Sequence, residues 1–290
     1  MAPELVLEQL GQPTSTDLVI SSLEMPDLLV RLGLCRLGAF DFDGTLTGKQ
    51  QYATQWNRLD IHLLPELQQA AMDDREQYLL RKKDDDHHPE AGEDWWVAHI
   101  PKENLPCTEA AWLSRSIERY ARSGMTQAMV NAAGRERILR PGTSNLLALF
   151  EKRIIISFGI EQFIRACLQT NGLTADIAAN RFRFDEQSRL IGYHTNVVAS
   201  LSKKTALERY MTIQGFKPHE VFAIGDAVTD IEMMQPDGFN VLLMPKNDHD
   251  AKWVAFRRNH LPTLWPKITM ILVSDTLNTM VELINMARRR

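Results

Sequence analysis

Three short apolar runs stand out along the chain, and each stops at a turn-forming residue. Residues 37–42 (Leu-Gly-Ala-Phe-Asp-Phe) lead into Asp43-Gly44-Thr45, residues 153–158 (Arg-Ile-Ile-Ile-Ser-Phe) stop at Gly159, and residues 221–224 (Val-Phe-Ala-Ile) run into Gly225-Asp226. Runs of this length, bounded by glycine and aspartate and rich in β-branched or aromatic side chains, predict buried strands. Apolar residues at helical spacing follow them over 161–169 and 228–234, and further helices are predicted over 145–150, 203–212 and 276–287. A strand is expected over 269–273, and polar residues 185–188 between apolar flanks predict a hairpin over 182–193. Strands that alternate with helices imply an α/β fold, with a parallel sheet covered on both faces.

The pattern changes between about 48 and 139, where no long β-branched run occurs. Ile61, Leu64, Leu67 and Ala71 recur at helical spacing, as do Leu113, Ile117, Tyr120 and Ala121. This predicts a helical insertion between the first and second core strands, with residues 82–92 as an exposed loop. The domain reading is therefore a core of residues 1–47 and 140–290 and a helical domain of 48–139. The roughly 35 residues before the first strand have no assigned role.

Composition narrows the classes. A chain of 290 residues suggests two folded units, or one with a large insertion, at about 150 residues per domain. Apolar residues at 44% and charged residues at 24% supply a real core, so wholesale disorder is excluded. A net charge of −4 leaves no basic footprint for nucleic acid. No apolar run reaches the ~20 residues a bilayer needs, so no membrane partner is expected. Three scattered cysteines (Cys35, Cys107, Cys167) and no secretory leader point to a reducing, cytoplasmic setting.

The strand ends carry the chemistry. Asp41 and Asp43 sit two apart where the first strand stops, Ser157 ends the second, and the third ends in Gly225-Asp226-Ala227-Val228-Thr229-Asp230. Open α/β sheets bind ligands at the carboxyl ends of their strands, so these groups are expected to converge. An ordinary Asp-Gly turn would explain the first motif alone; the other strand ends favour a site. Several carboxylates in one pocket repel unless a hard divalent cation neutralises them, and Mg²⁺ prefers oxygen ligands. A cation and a lysine would then offset the charge of a phosphoryl group under attack by a carboxylate.

This ordered set, Asp41-x-Asp43-Gly44-Thr45, Ser157, a lysine, and Gly225-Asp226-x-x-x-Asp230, resembles the haloacid dehalogenase superfamily over residues 36–47 and 140–245. The resemblance implies a Rossmann-like, three-layer core with an inserted helical C1 cap. It also implies a phosphatase that uses Mg²⁺ and acts on a small phosphorylated metabolite. Asp41 would be the nucleophile that forms an aspartyl-phosphate, and Asp43 the acid that protonates the leaving oxygen and later activates water. Ser157 and Lys203, with Phe158 and Gly159 beside them, would hold the phosphoryl oxygens. Asp41, the Asp43 carbonyl, Asp226 and Asp230 would form the metal site. Lys204 competes with Lys203, because a helix step of about 100° lets only one of them face a pocket; the spacing to Leu207 favours Lys203.

Within the superfamily, the cap resembles that of the cytosolic pyrimidine 5′-nucleotidase (type III) group. The matching segments are Leu63-Leu64-Pro65-Glu66-Leu67, Glu93-Asp94-Trp95-Trp96, Leu139-Arg140-Pro141-Gly142, Ile156-Ser157-Phe158-Gly159-Ile160 and Phe182-x-Phe184-Asp185-Glu186. Gly44, where that group more often has methionine, and Ser202-Lys203, where it has Asn-Lys, depart from the pattern. A nucleoside 5′-monophosphate is the first choice of substrate. A phosphoserine-phosphatase-like enzyme, a phosphotransferase and a quiet phospho-ligand binder are the rivals. Trp95 and Trp96 are candidates for stacking on a base, with core packing as the plainer alternative. Residues 84–88 (Asp-Asp-Asp-His-His) read as a solvated charged loop, and the terminal Arg288-Arg289-Arg290 as a frayed, solvated end. Oligomeric state is not expressed in these patterns.

Overall fold

The computed structural model describes residues 6–8, 17–21, 23–48, 54–85, 109–197, 200–246 and 265–290. Trp95, Trp96, Cys107 and residues 86–92 lie outside the described residues. By contacts the chain divides into two compact units, one of residues 1–48, 139–155 and 207–290 and the other of residues 49–138 and 156–206.

The first unit is built on parallel strands. β1 (Val6–Glu8), β2 (Leu18–Ser21), β3 (Leu37–Phe40), the start of β4 (Lys152–Ile160), β7 (Val221–Gly225), β8 (Phe239–Met244) and β9 (Met270–Val273) form its sheet in the order β1-β2-β9-β8-β7-β3-β4, while β5 (Asp176–Phe184) and β6 (Leu190–His194) belong to the second unit. β3 lies centrally, parallel to β4 and β7, with Phe40 opposite Ile155 and Ile224. Every residue of β3, β7, β8 and β9 is buried, as expected of strands covered on both faces. α1 (Met25–Gly33) packs on α9 (Asn278–Arg288), which also packs on α6 (Thr143–Ala148). This is the expected Rossmann-like α/β architecture, although the sheet is mixed: β2 runs antiparallel to β9, and β6 antiparallel to β5.

The second unit contains α2 (Gln55–Asp60), α3 (Pro65–Asp85), α4 (Glu109–Arg122), α5 (Gln127–Arg135), α7 (Glu161–Thr170), the second half of β4, β5, β6 and the start of α8 (Ser200–Gln214). The predicted helical character of the insertion is present in its described residues. Leu67, Ala71, Leu113, Ile117 and Tyr120 are buried, but Ile61 and Leu64 are exposed because they flank the turn between α2 and α3 and belong to no continuous helical stripe. Trp56 packs edge-on against Trp112, with ring centroids 5.1 Å apart, and stacks on Tyr120. Asp74 binds the guanidinium groups of Arg115 and Arg119, which fastens α3 to α4.

α5 lies close on α7 at Gly134. A Cβ there would sit 2.3 Å from the Phe163 carbonyl oxygen and 3.0 Å from Ala166 Cβ. Backbone cannot yield as a side chain can, so Gly134→Ala should lower the unfolding free energy by about 2 kcal/mol, read from the midpoint of a urea transition.

Other boundaries differ from the expected ones. The run 37–42 is strand only to Phe40, and residues 228–234, expected as an α-helix, form a 3-10 turn over Val228–Met233. The last helix reaches Arg288, whose guanidinium donates to the Leu149 carbonyl, so the terminal arginines are not all frayed. No helix among the described residues is long and apolar enough to cross a membrane.

Candidate active site

Asp41 follows the last residue of β3, and its N–H still donates to Ile224 O of β7 at 3.0 Å. The chain then makes a tight turn over Phe42–Leu46 that contains Gly44 at φ +86°. This turn aims successive polar groups back at the strand ends. Asp226 follows β7, the next strand over, and Asp230 lies one 3-10 turn later. The carboxylates of Asp41, Asp226 and Asp230 meet there, one oxygen from each lying within 4.8 Å of the others. Asp41 is 6% exposed and Asp230 is 1% exposed, while Asp226 and Asp43 are half-buried.

The Thr45 hydroxyl lies 3.2 Å from Asp41 Oδ2 and 3.4 Å from Asp226 Oδ1, so one proton serves both carboxylates. Asp230 Oδ2 accepts from the N–H groups of Asp226 (3.0 Å) and Ala227 (2.9 Å), which fixes the peptide that carries Asp226. Two carboxylate charges at about 4–5 Å repel by about 3–4 kcal/mol at an effective dielectric of about 20. A buried group of three therefore calls for a cation. All the donors are hard oxygens, which suits a small divalent ion and not a thiophilic one. The cluster can hold a metal ion.

Arg140 supplies a fixed positive charge from the same unit. Its guanidinium donates to Gly44 O (2.6 Å), Thr45 O (2.9 Å) and Ser274 O (3.2 Å). Burial pulls its pKa below the ordinary value against the favourable charges of Asp226 and Asp275, yet a guanidinium stays protonated. The Thr143 hydroxyl and the Arg140 N–H both donate to Leu46 O, so the end of the turn is held as well.

Ser157, Phe158 and Gly159 belong to the second unit, on the latter half of β4. Ser157 lies two residues after Ile155 along β4. Ser157 is buried, and its Oγ accepts from the Gly159 N–H at 3.1 Å. The Phe158 ring packs 5.8 Å from both Trp56 and Trp112, and the Ile160 N–H donates to Gln55 Oε1 at 2.6 Å. Asn180 joins two parts of this unit, because its amide donates to Phe158 O and Val197 O and accepts from Asn196 and Val197. Lys203 is 5% exposed and shares a buried face of α8 with Leu207 and Met211, whereas Lys204 is exposed.

A family model described as haloacid dehalogenase-like hydrolase matches residues 36–236. The chain belongs to that family. Among solved structures, this hydrolase is similar to cytosolic 5′-nucleotidase IIIB bound to cytidine, at 14% identity and a TM-score of 0.58, over 91% of this chain and 90% of that one. A substrate-bound phosphoserine phosphatase is similar at 16% identity and a TM-score of 0.56, over 86% of this chain and 97% of that one. A probable phosphoserine phosphatase from Vibrio cholerae aligns at 15% identity and a TM-score of 0.54, over 84% and 70%. At such identities the likeness is one of fold. No curated protein sequence matches the chain.

Sequence reasoning named the three clustered aspartates but gave no task to Thr45, Arg140 or Asn180. Arg140 had one visible signal, its place directly before a Pro-Gly turn. Asn180, inside a β-strand, had none.

Proposed function

We propose that this hydrolase is a Mg²⁺-dependent phosphomonoesterase that works through an aspartyl-phosphate, with a nucleoside 5′-monophosphate as first substrate. The observation that carries the reading is the gathering of Asp41, Asp226 and Asp230 within 4.8 Å at the ends of neighbouring parallel strands. Asp41 attacks phosphorus, and the bond to the ester oxygen breaks as the new P–O bond forms. Asp43 gives its proton to the departing oxygen and then takes one from the water that cleaves the acyl-phosphate. Ser157 and Lys203 take the phosphoryl oxygens; burial supports Lys203 over the exposed Lys204. Phe158 and Gly159 support Ser157 in this role, since the Phe158 ring packs among tryptophans and the Gly159 N–H donates to Ser157 Oγ. Asp41, Asp226, Asp230 and the Asp43 carbonyl would hold Mg²⁺, which would supply positive charge against the anionic ester.

In this reading residues 48–139 serve as a cap of the C1 type and residues 1–47 and 140–290 as the core, in a cytoplasmic enzyme. The nucleotide preference is supported by the similarity of fold to a 5′-nucleotidase over 90% of that chain. A phosphoserine-type substrate is the second reading, supported by the 97% coverage of a phosphoserine phosphatase. Phosphate release from a panel of nucleoside monophosphates, sugar phosphates and phosphoserine separates the two. Nucleoside 5′-monophosphates should exceed phosphoserine by about ten-fold in kcat/KM. EDTA should stop turnover, and added Mg²⁺ should restore it. Faster release from phosphoserine would reverse the substrate assignment, and unchanged turnover in EDTA would remove the metal.

A further inference from the structure

Asp17 stands just before β2, in the segment to which the sequence assigns no role. Its side chain is 9% exposed. Oδ2 accepts from the hydroxyls of Ser274 (2.7 Å) and Thr279 (2.5 Å), and Oδ1 lies 2.8 Å from Lys246 Nζ. Burial raises the pKa of this carboxyl. The hydrogen bonds from Lys246, Thr279 and Ser274, with the Lys246 charge, outweigh burial and hold the pKa below its usual value.

Ser274 connects this carboxylate to Arg140. Its hydroxyl donates to Asp17 and accepts from the Thr276 N–H (3.0 Å), and its own N–H donates to Met244 O (2.9 Å). Those bonds fix the peptide at the end of β9. The Ser274 carbonyl then accepts from Arg140, whose other two nitrogens hold Gly44 O and Thr45 O. A guanidinium is planar and rigid, so its three donors cannot move independently. A shift of the Ser274 carbonyl is passed to the turn that carries Asp41 and Asp43. That turn has little slack, because the Thr45 hydroxyl touches both Asp41 and Asp226.

We infer that Asp17 and Arg140 are positioning residues for the nucleophile turn. Asp17 fixes the Ser274 peptide, and Ser274 sets the plane in which Arg140 grips Gly44 and Thr45. The inference rests on the reading of Asp41 as nucleophile, but its structural part does not need turnover.

A double-mutant cycle on the full chain tests it, with Asp17→Ala, Arg140→Lys and the pair. Lysine keeps the charge of Arg140 but cannot span three carbonyls. The first readout is amide hydrogen exchange of residues 42–47 in metal-free protein, referenced to β7. The second is kcat and KM for p-nitrophenyl phosphate at saturating Mg²⁺. Each single variant should speed exchange at 42–47 by about ten-fold relative to β7 and lower kcat by a similar factor, with KM changed by less than about two-fold. The double variant should be within about two-fold of Arg140→Lys, because Asp17 acts through it. Multiplying effects, or exchange at 42–47 that merely tracks β7, would show that Asp17 only stabilises the fold and would overturn the inference. Should Asp17→Ala not fold, Ser274→Ala removes only the linking hydroxyl and should reproduce the same pattern; wild-type exchange at 42–47 in that variant overturns the inference equally. A wild-type protein inert towards every phosphomonoester defeats the proposed function, while the exchange cycle still decides the positioning.

Discussion

Asp41→Asn is expected to lower phosphate release by about 10⁴-fold or more, since an amide cannot form the acyl-phosphate that divides the reaction in two. Folding should not suffer. Asp41 is one of three carboxylates within 4.8 Å, and removing its charge relieves repulsion in metal-free protein. The asparagine carbonyl still accepts from the Thr45 hydroxyl, so the local hydrogen bond survives. Thermal unfolding in EDTA should therefore show an unchanged or raised midpoint, with a gain of about 1–3 kcal/mol. Acid-quenched wild-type protein given labelled substrate should carry phosphate on Asp41, and the variant should carry none. Turnover within ten-fold of wild type would remove Asp41 from the role of nucleophile.

Gly44→Ala should have the next largest effect, and by a different route. The residue holds φ at +86°, where a side chain costs about 1–2 kcal/mol. Its Cβ would also lie 2.5 Å from Asp226 Oδ2. The atom in the way is the end of a short side chain and not backbone, so the fold can yield by turning the Asp226 carboxylate out of the cluster. Activity should then fall by about 10²-fold, out of proportion to the small loss of stability. The Mg²⁺ concentration for half-maximal rate should rise by about ten-fold, as expected when a ligand's support is disturbed. Urea unfolding and a Mg²⁺ titration of kcat measure the two effects. Full activity in a folded Gly44→Ala protein would mean that Asp226 is not needed where it stands.

Much of the core was legible because its strands are buried on both faces. Such strands must be continuous apolar runs, and the stops at Asp43-Gly44 and Gly225-Asp226 mark where two of them turn, whereas the stop expected at Gly159 is passed because β4 runs on to Ile160. The aspartates of the site were legible for the same reason, each being tied to a strand end. Legibility failed where periodicity continued across a break. Ile61 and Leu64 fit the helical spacing of Leu67 and Ala71, yet a turn intervenes and leaves them exposed. The aromatic cluster of Trp56, Trp112 and Tyr120 left no mark as a cluster because Trp56 comes from α2 and the other two from α4, whereas the adjacent pair Trp95-Trp96 is conspicuous on sight.

By itself, then, the order of polar residues at strand ends determined the fold family and the acid cluster, since a parallel sheet gathers the carboxyl ends of its strands along one edge. Tertiary structure alone decided how that cluster is held. β2 adds to the sheet beside β9, and Asp17 meets Ser274 and Thr279 at sequence separations of 257 and 262 residues. Arg140 joins Ser274 to Gly44 and Thr45 in the same way. No local pattern encodes such pairings, because a hydrogen bond needs only the right donor at the right place, and which distant segment supplies it depends on how the whole sheet and its helices pack.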